Sequence, residues 1–254
     1  MRGVMVIDNA RGNYRFLKGI RPYSSGVVAA HGYEIVHVTL AAPLAFESGF
    51  HLLARHLAGV GRPLQALCAV ELRSPCPFSF EVFAEFNTGY FRTLADADIL
   101  VDDLNPVART NVAPKMYPPV EPSLYAFSYT VPCPSSEVRP TFVVAGAGEL
   151  LEGKLGPEAI VRPNEVSADA LCEKAVYVMQ CMTARLQGLG MRWDQVGVVN
   201  IYTVHDIFPL LPDIVFERLG PTGRHGVCWH YARPPIVGLE YEMDVRSVRT
   251  ELHL

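Results

Sequence analysis

Residues 56–67 read HLAGVGRPLQAL, and residues 185–196 read RLQGLGMRWDQV. The two stretches align without a gap at an offset of 129, pairing Leu57 with Leu186, Gly59 with Gly188 and Gly61 with Gly190. Apolar pairs follow at Val60/Leu189, Leu64/Trp193 and Leu67/Val196. Upstream of the second stretch, Ala175, Val178, Met179, Met182 and Leu186 recur at spacings of three and four, one apolar face of a helix. Leu53, Leu57 and Val60 do the same upstream of the first. Each helix is expected to stop near its glycine, the usual residue just past a helix end. An apolar run follows each: Leu67–Leu72 and Val196–Val204, the latter (VGVVNIYTV) rich in β-branched and aromatic residues, as strands are. A repeat of this length is a whole small module rather than a solenoid unit.

The chain thus divides into two α+β modules, residues 1–131 and 132–254, with the Pro- and Ser-rich stretch 132–136 as linker. In the first module, strands are expected at 26–30, 34–40, 66–72, 109–115 and 125–131, and a second helix at 80–93. The second module offers strands at 141–145, 196–204, 227–231 and 239–245, and helices at 168–187 and 208–219. Glu240–Asp244 (EYEMD) alternates polar and apolar, as a half-exposed strand does.

Composition agrees with a folded chain. Of 254 residues, 50% are hydrophobic and 19% charged, which excludes a disordered polymer. A chain of this size buries roughly 70–75% of its extended surface and needs no staple. A net charge of −4 argues against a nucleic-acid-binding face and against a polybasic membrane anchor. No window approaches 18 uncharged apolar residues, and the first residues lack the apolar run of a signal peptide. The six cysteines show no zinc-type spacing, so buried reduced thiols in a cytoplasmic protein are expected. His225 and His230 match no zinc signature, and Gly146-Ala147-Gly148 lacks the third glycine of a dinucleotide loop.

Three segments of the first module resemble the reactive-intermediate (imine) deaminase, or Rid, family. Ile20–Val27 (IRPYSSGV) is similar to its opening I-G-P-Y-x-x-G-V, Asn87–Leu94 (NTGYFRTL) to its N-x-x-Y-x-x-F-F helix, and Asn105–Val112 (NPVARTNV) to its F-P-A-R-S-x-V strand. In the second module, Ala145-Gly146 resembles the family's S-G, and Ala232–Pro235 followed by Leu239–Glu242 resembles A-R-L-P and I-E-I-E. The resemblance implies two chorismate-mutase-like domains, each a mixed sheet with two helices on one face. It implies hydrolysis of enamine or imine acids to the 2-oxo acid and ammonia, without metal or cofactor. Within the family, the 2-aminomuconate deaminases of aromatic-ring degradation are nearest in kind.

Such substrates carry a carboxylate beside the reacting carbon. A guanidinium suits it, because its planar fork makes two parallel bonds and stays charged. Arg109 matches the family's carboxylate-binding arginine. Tyr23 and Asn87 match residues that orient the substrate, and Gly146 matches a glycine that lets backbone approach it. Glu240 matches the glutamate that activates water. Arg21, where the family has glycine, adds a second cation suited to a dicarboxylate. The arginine position of the second module falls near Gly226, and the glutamate position of the first near Leu124-Tyr125. These complementary losses imply one composite site per chain, between the modules. Two alternatives stay open: a small-carboxylate-binding module without catalysis, and a chorismate-hydrolysing enzyme on the same fold. Rid domains form threefold rings, and three chains would supply six domains, so a homotrimer is expected.

Overall fold

The two aligned stretches take the same backbone course. The computed structural model describes residues 5–133, 139–154 and 156–254. Helix α1 (Phe46–Gly59) and the helix that the second stretch ends, Ala168–Gly188, both stop before a glycine at positive φ, Gly61 at 69° and Gly190 at 75°. The next N–H donates back to the matching leucine carbonyl in each, Arg62 to Leu57 and Met191 to Leu186, both at 2.8 Å. A short 3-10 turn follows in each, Leu64–Ala66 and Trp193–Gln195, before a strand begins.

In chain order the strands are β1 (Val6–Asn9), β2 (Tyr14–Leu17), β3 (Gly26–Ala29), β4 (Tyr33–Ala45), β5 (Leu67–Arg73), β6 (Ala108–Pro114), β7 (Ser123–Pro132), β8 (Phe142–Gly148), β9 (Val198–Thr203), β10 (Cys228–Arg233), β11 (Glu242–Ser247) and β12 (Thr250–His253). The other long helices are α2 (Phe80–Asp96) and α3 (Ala168–Gly188). Ser79 and Ser167 cap them, accepting from Val82 and Ala170 N–H at 3.2 Å. All strands join one twelve-stranded mixed sheet, ordered β1-β2-β3-β8-β11-β9-β10-β6-β5-β7-β4-β12. The blocks β4-β7-β5-β6 and β8-β11-β9-β10 share one connectivity: the last strand pairs with the first, and the middle two run parallel across a helical connection.

The halves meet in three ways. β6 and β10 join antiparallel at Ala113/Arg233 and Pro114/Ala232. The N-terminal hairpin crosses over, β3 pairing with β8 rather than with its sequence neighbour β4. β12 returns the exchange by lying parallel to β4. Neither β1, β2 nor β12 was expected from the sequence. Their partners are remote in the chain, and short, half-polar strands leave little local pattern.

Four layers result. α1 and α2 cover one sheet block through Leu53, Leu57, Tyr90 and Leu94, and α3 covers the other through Val178, Met179 and Met182. Between the two blocks of the sheet lie Phe16, Val27, Ile35 and three alanines, Ala69, Ala108 and Ala145, small enough for close approach. The expected helix at 208–219 is instead irregular, a 3-10 turn at Phe208–Leu210 running into a π turn at Leu211–Phe216. Pro212, at the fifth position of the expected helix, lacks the N–H that a regular helix needs there.

The strand expected at 239–245 begins only at Glu242, and its polar face is not solvated. Glu242 and Asp244 are each 4% exposed. Their face of β11 looks across the inter-sheet layer, where Asp244 accepts from Asn200 Nδ2 (2.8 Å), Tyr202 OH (2.9 Å) and Thr110 Oγ1 (2.8 Å). The expected buried cysteines divide: Cys68 and Cys181 are buried, Cys133 and Cys172 half-buried, Cys76 and Cys228 exposed. Of the expected linker, residues 134–136 lie outside the described residues. Among the described residues, no helix is long and apolar enough to cross a membrane.

Candidate active site

Between the two halves lies a cavity of about 320 Å³. β6 contributes Arg109 and Asn111, the β2–β3 loop Tyr23 and Ser25, β8 Gly146, α3 Cys181 and Arg185, and β11 Glu242. The loop that carries Tyr23 is pinned on both sides. Asn105 Nδ2 donates to Pro22 O at 2.6 Å, and Ser24 N–H donates to Val107 O at 3.0 Å.

Arg109 is 3% exposed, yet its guanidinium is only partly satisfied. Nη2 donates to Asn87 Oδ1 at 2.6 Å, while Nη1 is buried without a partner. Aromatic rings surround the charge, with the guanidinium carbon 4.4 Å from the Tyr23 centroid and 4.7 Å from that of Tyr90. Burial lowers the guanidinium's pKa, partly offset by the two tyrosines and Glu242. An arginine in this state is poised for an anion, because an incoming carboxylate supplies the missing acceptor and the missing charge.

Asn111, two residues on, lies on the same side of β6. Ser74 Oγ donates to Asn111 Oδ1 at 2.9 Å, which orients the amide and leaves Nδ2 as a second unpartnered buried donor. Glu242 faces this pair. Burial first, then the Asp244 and Glu149 carboxylates, push its pKa well above the ordinary carboxylate range. Its carboxyl has room only because residue 146 lacks a side chain: a Cβ there would overlap Glu242 Oε1 and meet Thr110 Cγ2 at 3.2 Å. That oxygen is the movable end of a side chain, so Gly146→Ala should fold and displace the carboxyl. Ammonia release should fall about 100-fold, the scale of an ångström-sized misplacement, with the melting temperature nearly unchanged. A Gly146→Ala variant with full activity would show that the carboxyl's position is not critical.

Of the residues singled out in the sequence, Tyr23, Arg109 and Gly146 line this cavity together. Asn87 stands behind, holding Arg109 and lining a neighbouring apolar cavity. Two stand elsewhere. Arg21 is exposed, its guanidinium 4.8 Å from the Phe91 ring centroid beside that second cavity. Glu240 precedes β11 and is outside the cavity, its Oε2 2.6 Å from Arg233 Nη1 and 2.7 Å from His205 Nε2. The cause is a buried clamp. Glu149 accepts the N–H of Glu240 (2.6 Å) and of Tyr241 (3.1 Å) and pairs with Lys174 at 3.2 Å. The clamp holds the chain so that the strand starts at Glu242, and Glu242 is the glutamate that enters the cavity. Glu240→Gln should therefore keep ammonia release within about threefold of the parent, under about 1 kcal/mol of barrier. A loss of several hundredfold would return the role to Glu240.

Sequence reasoning missed Glu242, Asn111 and Arg185. Glu242 and Asn111 each sit within a quoted motif, two residues from the position singled out, and Arg185 opens the second aligned stretch. Among the described residues, no cluster of His, Cys, Asp or Glu is placed to hold a metal.

Two α+β modules enclosing a cavity with a half-satisfied buried arginine and a buried glutamate of raised pKa define a protein built to act on a small carboxylic acid. The chain's relatives narrow that class. The family model described as 2-aminomuconate deaminase CnbZ matches residues 6–252, and the chain belongs to that family. A 2-amino-5-chloromuconate deaminase of Comamonas testosteroni is 41% identical over 241 residues, covering 94% of this chain and 95% of that protein. A chorismatase crystal structure covers 98% of this chain and 80% of its own with a TM-score of 0.50 at 11% identity, a likeness of fold.

Proposed function

We propose that the chain hydrolyses 2-aminomuconate, or a substituted 2-aminomuconate, to the 2-hydroxy or 2-oxo acid and ammonia during breakdown of aromatic compounds. The observation that carries this reading is the unpartnered Nη1 of Arg109, buried beside a raised-pKa glutamate in a cavity of substrate size. Family membership and the C. testosteroni relative support the substrate class.

In this reading Arg109 grips the carboxylate next to the amino-bearing carbon, held in place by Asn87 and faced by the ring of Tyr23. Asn111 Nδ2 donates to the same carboxylate or to the nitrogen. Protonated Glu242 gives its proton to the enamine carbon, which turns the enamine into an iminium and leaves a carboxylate. That carboxylate takes a proton from water as the hydroxyl adds to the amino-bearing carbon. Glu242 then protonates the nitrogen, which leaves as ammonia while the hydroxyl proton returns to Glu242 and the carbonyl forms. One enamine and one water become one 2-oxo acid and one ammonia, with Glu242 restored. A carboxyl whose pKa lies nearer the working pH serves both directions of this proton traffic. Only water and the chain's own groups enter the steps.

An ammonia-release assay with 2-aminomuconate tests the reading. Release by the wild-type protein supports it. Saturable binding without release would support the non-catalytic alternative, and pyruvate release from chorismate would support the other. The reading also includes a cytoplasmic homotrimer whose chains divide near residue 131 into two Rid-like modules, since the two strand blocks share one connectivity.

A further inference from the structure

The second cation expected at the cavity, Arg21, is not there, yet the cavity is far from neutral. Lys18, Arg109, Lys154 and Arg185 all line it, against Glu152 and Glu242. One carboxylate on Arg109 leaves the rest of this positive charge unanswered. Arg185, from the last turns of α3, is held rigidly. Its Nη1 donates to the carbonyls of Ala145 (3.0 Å) and Gly146 (3.1 Å), and its side chain is 13% exposed. Its Nε is buried without a partner. Its remaining nitrogen, Nη2, reaches Glu152 at 3.1 Å, and that glutamate is 62% exposed and readily displaced into solvent. Tyr23 and Glu242 line the same cavity as both arginines, so both guanidiniums belong to the site that holds the reacting groups.

We infer that the cavity has a second anion subsite, in which Arg185, assisted by Lys18 and Lys154, holds the distal carboxylate of a linear dicarboxylic substrate. This inference rests on the deaminase reading above. It assigns the choice of a dicarboxylate over a monocarboxylate of equal length to α3 and the β2–β3 and β8 loops. Arg109 binds the near carboxylate of either.

Two unreactive acids separate the ends of the site: trans,trans-muconate, with a carboxylate at each end, and sorbate, the same six-carbon diene with one. Calorimetric titration of the whole protein at low salt should give muconate about 30-fold tighter binding than sorbate, the worth of one charge-assisted pair. In Arg185→Met the muconate-to-sorbate ratio should collapse to within about threefold. In the double variant Lys18→Gln/Lys154→Gln, whose lysines are exposed, it should fall about three- to tenfold, as solvated charges are worth less. Because Arg185 also ties two backbone carbonyls, a misfolded Arg185→Met leaves the decision to the lysine pair, where an unchanged ratio overturns the proposal. Equal wild-type affinity for the two acids, with ammonia release from 2-aminomuconate intact, overturns the second subsite and spares the deaminase reading. No ammonia release at all overturns that reading instead.

Discussion

Replacing Arg109 with Met is expected to lower kcat/KM for 2-aminomuconate about 10³-fold, since losing one partner of a desolvated, hydrogen-bonded ion pair costs roughly 4 kcal/mol. The same change should leave the protein at least as stable. In the free protein the guanidinium is buried, with Nη2 on Asn87 and Nη1 on nothing. An apolar side chain of similar length removes an uncompensated charge and keeps contact with the rings of Tyr23 and Tyr90. Steady-state ammonia release and thermal melting, measured together, decide the matter. An arginine kept for stability would give the opposite pattern, a lower melting temperature with turnover intact in the folded fraction.

Glu242→Gln is the second large effect. It removes the proton donor and acceptor while keeping shape, so kcat should fall about 10²–10⁴-fold with KM little changed. Wild-type activity should fall as pH rises through the elevated pKa of Glu242, because the acid form is then lost. Stability carries the matching signature. The folded-state pKa lies above the unfolded value, so as pH climbs from the ordinary carboxylate range toward that elevated pKa the unfolded chain ionises first, and the wild type loses stability. The amide cannot ionise. The variant should therefore melt higher than wild type at neutral pH and show no such advantage at acid pH, below both values. A variant that melts lower at every pH would mean that Glu242 is an ordinary structural carboxylate.

What the sequence revealed was local. The glycines at 61 and 190 end helices because their positive φ is cheap only for glycine, and that chemistry is written in adjacent residues. The order of β3 to β7 with α1 and α2 was legible for the same reason, as were Arg109, Tyr23 and Gly146 at one cavity. The exchange of β3 and β12 between halves was not, because strand pairing is decided by residues far along the chain. Neither was the burial of Glu242 and Asp244: an alternating strand shows which residues share a face, and only the sheet packed opposite shows that the polar face is dry. The displacement from Glu240 to Glu242 is instructive. A two-residue slip preserves strand alternation, so nothing in the local pattern separates the two glutamates. What separates them is Glu149, some ninety residues away, which captures the backbone at 240 and 241 and sets where β11 begins. Arg21 lies outside this cavity for a related reason. Its neighbour Tyr23 lines the cavity, while Arg21 and Pro22 line the second cavity, with the Arg21 guanidinium over Phe91.

The arrangement divides the site between the two halves of the chain. The arginine comes from β6 of the first half, the glutamate from β11 of the second, and the glycine that admits the glutamate from β8. Thr110 ties these strands together, accepting from Gly146 N–H at 3.1 Å and donating to Asp244 at 2.8 Å.

A crystal structure of the protein soaked with muconate is the most direct test. The expected density places one carboxylate against Arg109 Nη1, with the adjoining carbon facing the carboxyl of Glu242. Muconate bound elsewhere, with that nitrogen still unpartnered, would contradict the assignment of this crevice as the place where the acid is gripped.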